Sequence, residues 1–541
     1  MKKYKILLLA VVAALATGCY SDDSNLDYKT LDLPVIDNPT NDLALFVPNR
    51  AYKIKLSEHL RITPNVVYKD MNDLSYKWVI DGKVITTTKD LDWECDMETE
   101  RVSCYFEIRR NSAGNSTIFS FTIELEQPYQ KGYSVLVETA EGELRYDVIS
   151  YTEPLTNPYT FTYHKDGAGI PLLFTGDNPR LKEYWSCETS SIIGNVMFLD
   201  DDPNNCASFN GLSLLKEMTL AQEFKDEELP ADFRLKDFMH GGFVSYVLAD
   251  DGRIFQRKGS RIYYTGRFLN LPMQYNGKQI NGKKFIGARY STNNGGNYGL
   301  IYEETDKGGR FLLVNFDYDT ASSSTGKKAG QLTEFPEGSK MDGITDYELI
   351  DGWHIKNANF GYNGGQSSIM MLFRKKSDGK YYTREVSIKF TVSTAGIDIS
   401  EIYAEVYREL PDFGPDSKIC VIRIDGYGDV MYAPQGYIYY TAASNPRKVL
   451  SKPRTSKDAP VEFHTFDSEV IAIDHETYTR TSGYMAFALG DGTVMIYTTR
   501  RSGLTPTTNL DTFEEERVVS TFDVEGKIRW MGCKYGGISS Y

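Results

Sequence analysis

Apolar and polar residues alternate from Phe119 through Phe121 and Ile123 to Leu125, the pattern of a strand with one buried and one wet face. The runs AYKIKL, RITPNVVY, LSYKWVIDGKVI, VSCYFEIR and STIFSFTIELE, between Leu43 and about Gln127, are strand-like and short. Together they predict a small β-sandwich over residues 43–128. Further on the pattern changes to short, nearly continuous apolar runs that flank a reversal. SYVLADDGRI, residues 245–254, leads into Asp251-Gly252 and out again, which predicts a β-hairpin.

That hairpin recurs around Gly142, Gly308, Gly379, Gly436 and Gly492, with the longer loop at Asp202 in a seventh place. Gly252 to Gly308 is 56 residues, Gly379 to Gly436 is 57 and Gly436 to Gly492 is 56. Gly142 to Gly252 is 110, two units with Asp202 between them, and Gly308 to Gly379 is 71, one unit with an insertion. A near-constant period over more than 300 residues predicts a seven-bladed β-propeller over residues 129–541, where a sandwich would hold no such spacing. FDVEGKIRW turns at Gly526, only 34 residues after Gly492, too close for another blade. The segment 518–530 is therefore expected to complete a blade shared by the two ends of the ring.

The fold class is thus all-β, a sandwich followed by a propeller, and the composition agrees. Tyrosine is frequent (38), glycine is 45, and long amphipathic helical patterns are scarce. A formal charge of −14 argues against nucleic acid or anionic lipid as partners.

Lys2, Lys3 and Lys5 precede an apolar run from Ile6 to Ala16, and small residues lead to Cys19. This is a secretion signal, too short for a normal membrane span. It resembles a bacterial lipobox, with Leu15 one place further from the cysteine than usual. The resemblance implies cleavage after residue 18 and a lipidated Cys19. Loss of the three lysines takes the formal charge from −14 to −17. Ser21, Asp22 and Asp23 directly behind it resemble the surface-export signal of Bacteroidota lipoproteins, and the polar stretch 19–42 reads as a tether. The expected address is the outer membrane, lipid-anchored and facing the exterior.

Trp78 in YKWVIDGK sits where immunoglobulin-like sandwiches place a core tryptophan. YKWVIDGK, the preceding ITPNV, the later LDW and the stretch GYSVLVETAEGELRYDVI resemble the PKD-like family of Bacteroidota surface lipoproteins. That resemblance implies an accessory role beside a TonB-dependent transporter of the starch-utilisation type and its lid lipoprotein. It implies no catalytic residues.

Six cysteines follow the anchor, and an exported chain permits disulfides. Cys95 with Cys104 is the first local candidate and Cys187 with Cys206 the second, each set against buried free thiols. Cys420 and Cys533 are distant in sequence but brought near by a ring. No cofactor or metal motif occurs: CxxC is absent, and His475-Glu476 does not continue as HExxH. G-x-S-x-G, a P-loop and the sialidase Asp-box are absent as well. The densest oxygen-ligand group, Asp200-Asp201-Asp202-Pro203-Asn204-Asn205, departs from a DxDxDG loop and reads as a solvated surface loop. Asp319-Thr320-Ala321 matches a short O-glycosylation pattern.

Tyr263-Tyr264, Tyr381-Tyr382, Tyr437, Tyr439-Tyr440, Trp185 and Trp353 are the remaining lead, as ordinary strand residues or as platforms for sugars and peptides. The function expected is a non-catalytic surface lipoprotein that docks on the transporter, binds an oligosaccharide or peptide, or does both. The alternative is a propeller glycoside hydrolase or lyase, which needs a pair of carboxylates in the funnel.

Overall fold

A computed structural model describes residues 32–38, 44–55, 58–97, 101–126, 129, 132–152, 160–165, 178–188, 191–211, 214, 216–241, 244–258, 266–287, 298–316, 330–356, 364–393, 396–422, 437–454, 456–477, 483–499, 512–534 and 538–540. These residues form an all-β chain, with two single-turn 3₁₀ segments at Met71–Asp73 and Glu515–Arg517 and no α-helix. The chain divides into two compact units, one built on Met1–Tyr52, His59–Trp93 and Val102–Ile123, and a second that comprises the rest.

In the first region a five-stranded sheet runs in the order Ala51–Lys55, Ser116–Glu126, Arg101–Arg110, Leu74–Ile80, Lys83–Thr86. His59–Ile62 pairs with Leu91–Glu94, and Val35–Ile36 with Val66–Val67. Alternation does the sorting: Val102, Cys104, Phe106 and Ile108 are buried while their neighbours are exposed or half-buried. Trp78 lies opposite Phe106 in register, the rings 4.2 Å apart and stacked, with Phe46 edge-on to Trp78 at 5.2 Å. Its indole N–H donates to the Lys89 carbonyl at 3.1 Å, so the one polar atom of this fully buried ring has a partner.

From residue 132, seven antiparallel sheets of three or more strands follow one another among the described residues, with a two-stranded one, Gln274–Tyr275 and Lys278–Gln279, between the third and the fourth. The second is Arg180–Glu188, Ser191–Leu199, Ala207–Asn210 and Lys216–Thr219. The third has three strands, Leu235–Gly241, Val244–Ala249 and Ile254–Lys258. The fourth is Gly282–Ile286, Tyr298–Thr305, Gly308–Asn315 and Leu332–Glu334. Tyr347–Lys356, Gly364–Lys375, Tyr381–Ser393 and Gly396–Ala404 make the fifth, with Arg408–Glu409 added. The sixth is Ile419–Val421, Tyr437–Ala442, Asn445–Pro453 and Val461–Thr465. The seventh is Val470–Thr477, Gly483–Leu489, Thr493–Thr498 and Val518–Asp523.

The first sheet is made from both ends of this region. Gly132–Glu138, Leu144–Thr152 and Thr160–His164 are joined by Lys527–Lys534, which pairs antiparallel with Gly132–Glu138. Apolar cores lie between successive sheets, and Tyr133, Val135 and Ile149 of the first pack with Tyr484, Ala486 and Ile496 of the seventh. Beyond Lys527–Lys534, Ile538–Ser540 pairs with Ser191–Leu199 of the second sheet. Meanders in series, with Lys527–Lys534 returned to the first sheet, make this a β-propeller fold.

Gly252 and Gly492 both have φ +91°, the left-handed value that the reversal demands. In the sixth sheet the corresponding turn is not at Gly436. Ala442 pairs with Asn445, so Ala443 and Ser444 make the reversal. Asp412 anchors this turn: its backbone carbonyl accepts the Ala443 amide at 2.7 Å, and its carboxylate accepts the Ser444 amide at 2.9 Å. Gly436 itself lies outside the described residues. The even spacing through that position therefore matched glycines, not equivalent turns.

The expected disulfides are not formed. Cys95 and Cys104 are free and buried, Cys104 on a strand of the five-stranded sheet opposite Ile80, Cys95 just after Leu91–Glu94 of another sheet. Cys206 is also free, its Sγ held at 3.2 Å from the Asp200 amide. Burial pushes the Cys104 and Cys206 thiols up to about 12, so both rest as neutral core groups. Cys420 and Cys533 are buried as well, in cores that flank the seventh sheet.

Candidate functional site

The first strands of the second, third, fourth, fifth and seventh sheets carry the charged residues Lys182, Asp237, Lys284, Asp351 and Asp474. Asp237 on Leu235–Gly241 accepts the Lys182 ammonium at 3.3 Å, and Lys284 on Gly282–Ile286 reaches Asp351 on Tyr347–Lys356 at 3.3 Å. Each pair joins adjacent sheets, and Lys284 also acts on Asp237, so the four side chains form a belt across the second to fifth sheets. A third aspartate repeats the device. Asp474 on Val470–Thr477 accepts the Cys533 amide at 2.7 Å and so ties the seventh sheet to the first.

One local motif positions all three. Asp237, Asp351 and Asp474 each accept the amide of the next residue, at 2.9, 2.9 and 2.8 Å. Asp237 and Asp351 stand at register shifts, where a bulge turns the carboxylate along the strand. Burial pushes Asp237 up, but Lys182, Lys284 and the Phe238 amide outweigh it and hold the carboxyl below its ordinary value. Asp351 raises Lys284 against the opposing effect of burial. A general acid needs a carboxyl whose pKa is raised, and Asp237 is shifted the other way.

Histidines stand nearby on the same strands: half-buried His240 with Ser245 Oγ at 2.8 Å, buried His354 edge-on to Tyr298 at 5.1 Å, and buried His475 with Thr499 Oγ1 at 2.9 Å. Turn glycines draw attention away from these residues in the sequence. A signal was there: Asp237-x-x-His240 and Asp351-x-x-His354 share a pattern and lie 114 residues apart, two repeats of 57.

The second feature is an open groove of about 400 Å³ at the outer edge of the third sheet. Gln256, Leu269, Leu271, Met273, Tyr275 and Leu332 line it. Here the fourth-strand position is filled by irregular chain. Leu269 N donates to the Gln256 carbonyl at 3.2 Å and Met273 N to the Ile254 carbonyl at 2.7 Å, and the residues between them bow outward. Leu271 is thereby 78 % exposed and Leu269 54 %. Large apolar side chains left in water beside an aromatic ring mark a surface that gains from being covered.

The tyrosine pairs sort by sheet geometry. Tyr381 is buried, while Tyr382 is half-buried and donates to Asp378 at 2.8 Å. Tyr439 and Tyr440 are both fully buried, because a middle strand here faces a core on each side. Tyr437 and Trp353 are partly buried against those same cores. Cys19, Ser21, Asp22, Asp23, Tyr263, Tyr264 and Asp319-Thr320-Ala321 lie outside the described residues, as do the side chains of Trp185 and Cys187. Among the described residues no group of three His, Cys, Asp or Glu side chains is placed to hold a metal, and no helix is long and apolar enough to cross a membrane.

The PKD-like family model matches residues 19–164. Among curated proteins no sequence matches the chain. Similar solved structures include a quinonprotein alcohol dehydrogenase-like protein from Bacteroides thetaiotaomicron, 10% identical, covering 94% of this chain and 98% of that one at a TM-score of 0.30. The β-propeller domain of Nup133 from Vanderwaltozyma polyspora is 12% identical, covering 72% and 88% at 0.29. The fucose-specific lectin from Aleuria aurantia is 9% identical, covering 59% and 91% at 0.27.

Proposed function

We propose that this chain is a non-catalytic surface lipoprotein of a Bacteroidota nutrient-uptake system. In this reading Cys19 carries the lipid, Ser21, Asp22 and Asp23 direct export, and residues 43–128 form an immunoglobulin-like sandwich. A seven-bladed propeller follows and supplies the docking surface. The partners are a TonB-dependent transporter and its lid lipoprotein, with an oligosaccharide or peptide as cargo. The observation that carries the reading is the groove beside Leu269 and Leu271, where an apolar surface lies exposed and Leu271 is the most exposed large apolar side chain among the described residues. The neutralised belt supports it, since Asp237 and Asp351 are engaged by lysines instead of by each other.

Affinity purification of the full chain from its native outer membrane, with the eluate assayed on a polysaccharide and peptide panel, tests this. The expected eluate holds the transporter and the lid lipoprotein and turns over no substrate. Leu271→Asp is expected to reduce recovery of those partners at least tenfold without a change in melting temperature. A chain that elutes alone and degrades one of the substrates overturns the proposal in favour of a propeller hydrolase or lyase.

A further inference from the structure

The loop between Ser191–Leu199 and Ala207–Asn210 contains an acidic cluster with a buried carboxylate at its root. Asp200 is fully buried. Its Oδ1 accepts the Asp202 amide at 2.9 Å, which turns the carboxylate in toward the loop. Its Oδ2 is also buried and has no hydrogen-bond partner among the described residues. The nearby Arg180 guanidinium lies 3.5 Å from exposed Asp201 and makes no ion pair with Asp200 among the described residues. A buried carboxylate oxygen without a partner costs far more than a neutral group left bare, so its retention asks for a counter-charge.

We propose that this loop binds a hard divalent cation, calcium. Asp200, Asp202 and Asn204 alternate as the first, third and fifth ligand positions of oxygen-donor loops do, with Asn205 where such loops place glycine. Asp202 Oδ1 accepts the Asn204 amide at 3.0 Å and the Asn204 side-chain N–H at 2.9 Å, which draws residues 202 and 204 to one side of the loop and leaves the Asn204 Oδ1 as an acceptor. Two carboxylates and an amide oxygen, with water for the remaining positions, suit calcium, which accepts irregular oxygen shells. Magnesium demands a near-ideal octahedron. Only two of the three proposed protein ligands are carboxylates, which makes this a weak site, and Asp201 is turned to Arg180 instead.

Isothermal titration of calcium chloride into the chelator-treated full chain, with melting curves in parallel, tests the site. The expected result is one calcium per chain and a rise of a few degrees in melting temperature at saturation. Asp202→Asn, at the loop surface, is expected to weaken binding at least tenfold while the calcium-free melting temperature holds. Asp201→Asn is expected to leave binding unchanged. Asp200→Asn is expected to abolish the calcium shift and to raise the calcium-free melting temperature, because it removes a bare buried charge. Absence of heat and of any melting shift in the wild type at millimolar calcium overturns the proposal. So does binding that survives unchanged in both Asp200→Asn and Asp202→Asn.

Discussion

Two strands show how differently the two regions use hydrophobic residues. In Arg101–Arg110 of the N-terminal region, buried Val102, Cys104, Phe106 and Ile108 alternate with exposed or half-buried neighbours. In Gly483–Leu489 of the seventh sheet every residue is buried. The backbone is equally pleated in both. Tyr484, Ala486 and Ala488 pack toward the first sheet, and Met485, Phe487 and Leu489 toward the sixth. A strand of the N-terminal sheet has one interior to serve and a propeller strand has two. Alternation therefore announces the first kind of strand, and only the turns punctuate the second.

The contrast is broken most severely by removing residues 518–541. That deletion takes away Lys527–Lys534 and with it the backbone partners of Gly132–Glu138 and the core residues Val524, Ile528 and Met531. Calorimetry is expected to show no cooperative transition for the propeller and an unchanged one for the N-terminal region. A propeller transition that persists at its original temperature refutes closure by this strand.

Single core truncations should separate the two regions next. Phe487→Ala and Trp78→Ala each delete a fully buried ring and are expected to cost about 3–5 kcal/mol. Phe487→Ala should lower only the propeller's transition and Trp78→Ala only the other. Equal shifts of both transitions by either variant would show that the regions unfold as one.

The charged belt predicts a pH signature confined to the propeller. Asp237 folds with its pKa below the ordinary 3.8, so its contribution is present above 3.8 and fades as pH falls through the folded value. Lys284 folds with its pKa above 10.5, so its contribution is present below 10.5 and fades as pH rises through the folded value. Between about pH 5 and 10 the belt should contribute no slope. Asp237→Asn takes a counter-charge from Lys284 and from the half-exposed Lys182 and is expected to cost about 1 kcal/mol at pH 7. The loss should be smaller at pH 3, where the wild type has begun to lose the same interaction. Urea midpoints at the two pH values check this.

Comparable effects are expected at the turns. Gly379→Ala places a Cβ in open space at φ +72° and should cost about 1–2 kcal/mol from backbone strain alone. Gly492→Ala should cost more, because its Cβ would lie 2.9 Å from the Gly526 carbonyl oxygen. Equal losses at both would remove packing from the account of Gly492.

The turns at Gly142, Gly252, Gly308, Gly379 and Gly492 are where their sequences place them, since Asp-Gly and related pairs set positive φ without help from distant residues. Gly436 misleads for the same reason, as a glycine alone does not say which strands it joins. The sixth sheet turns instead at Ala443-Ser444, held by Asp412 from 31 residues before. The groove at Leu269 and Leu271 was illegible. It exists because a fourth strand is replaced by bowed chain, and no composition marks that replacement.

The order of residues alone was enough to make this protein all-β, to place most of its reversals and to give its first strands one buried face. Those properties depend on residues within a few positions of one another, through φ preferences and a two-residue period. The pairing of Gly132–Glu138 with Lys527–Lys534, the separation of Cys95 from Cys104 and the place of Asp237 between Lys182 and Lys284 were settled by folding in three dimensions. Those outcomes arise when segments tens to hundreds of residues apart are brought into register, and at that range the energy of burial and ion pairing, not local preference, selects the partner.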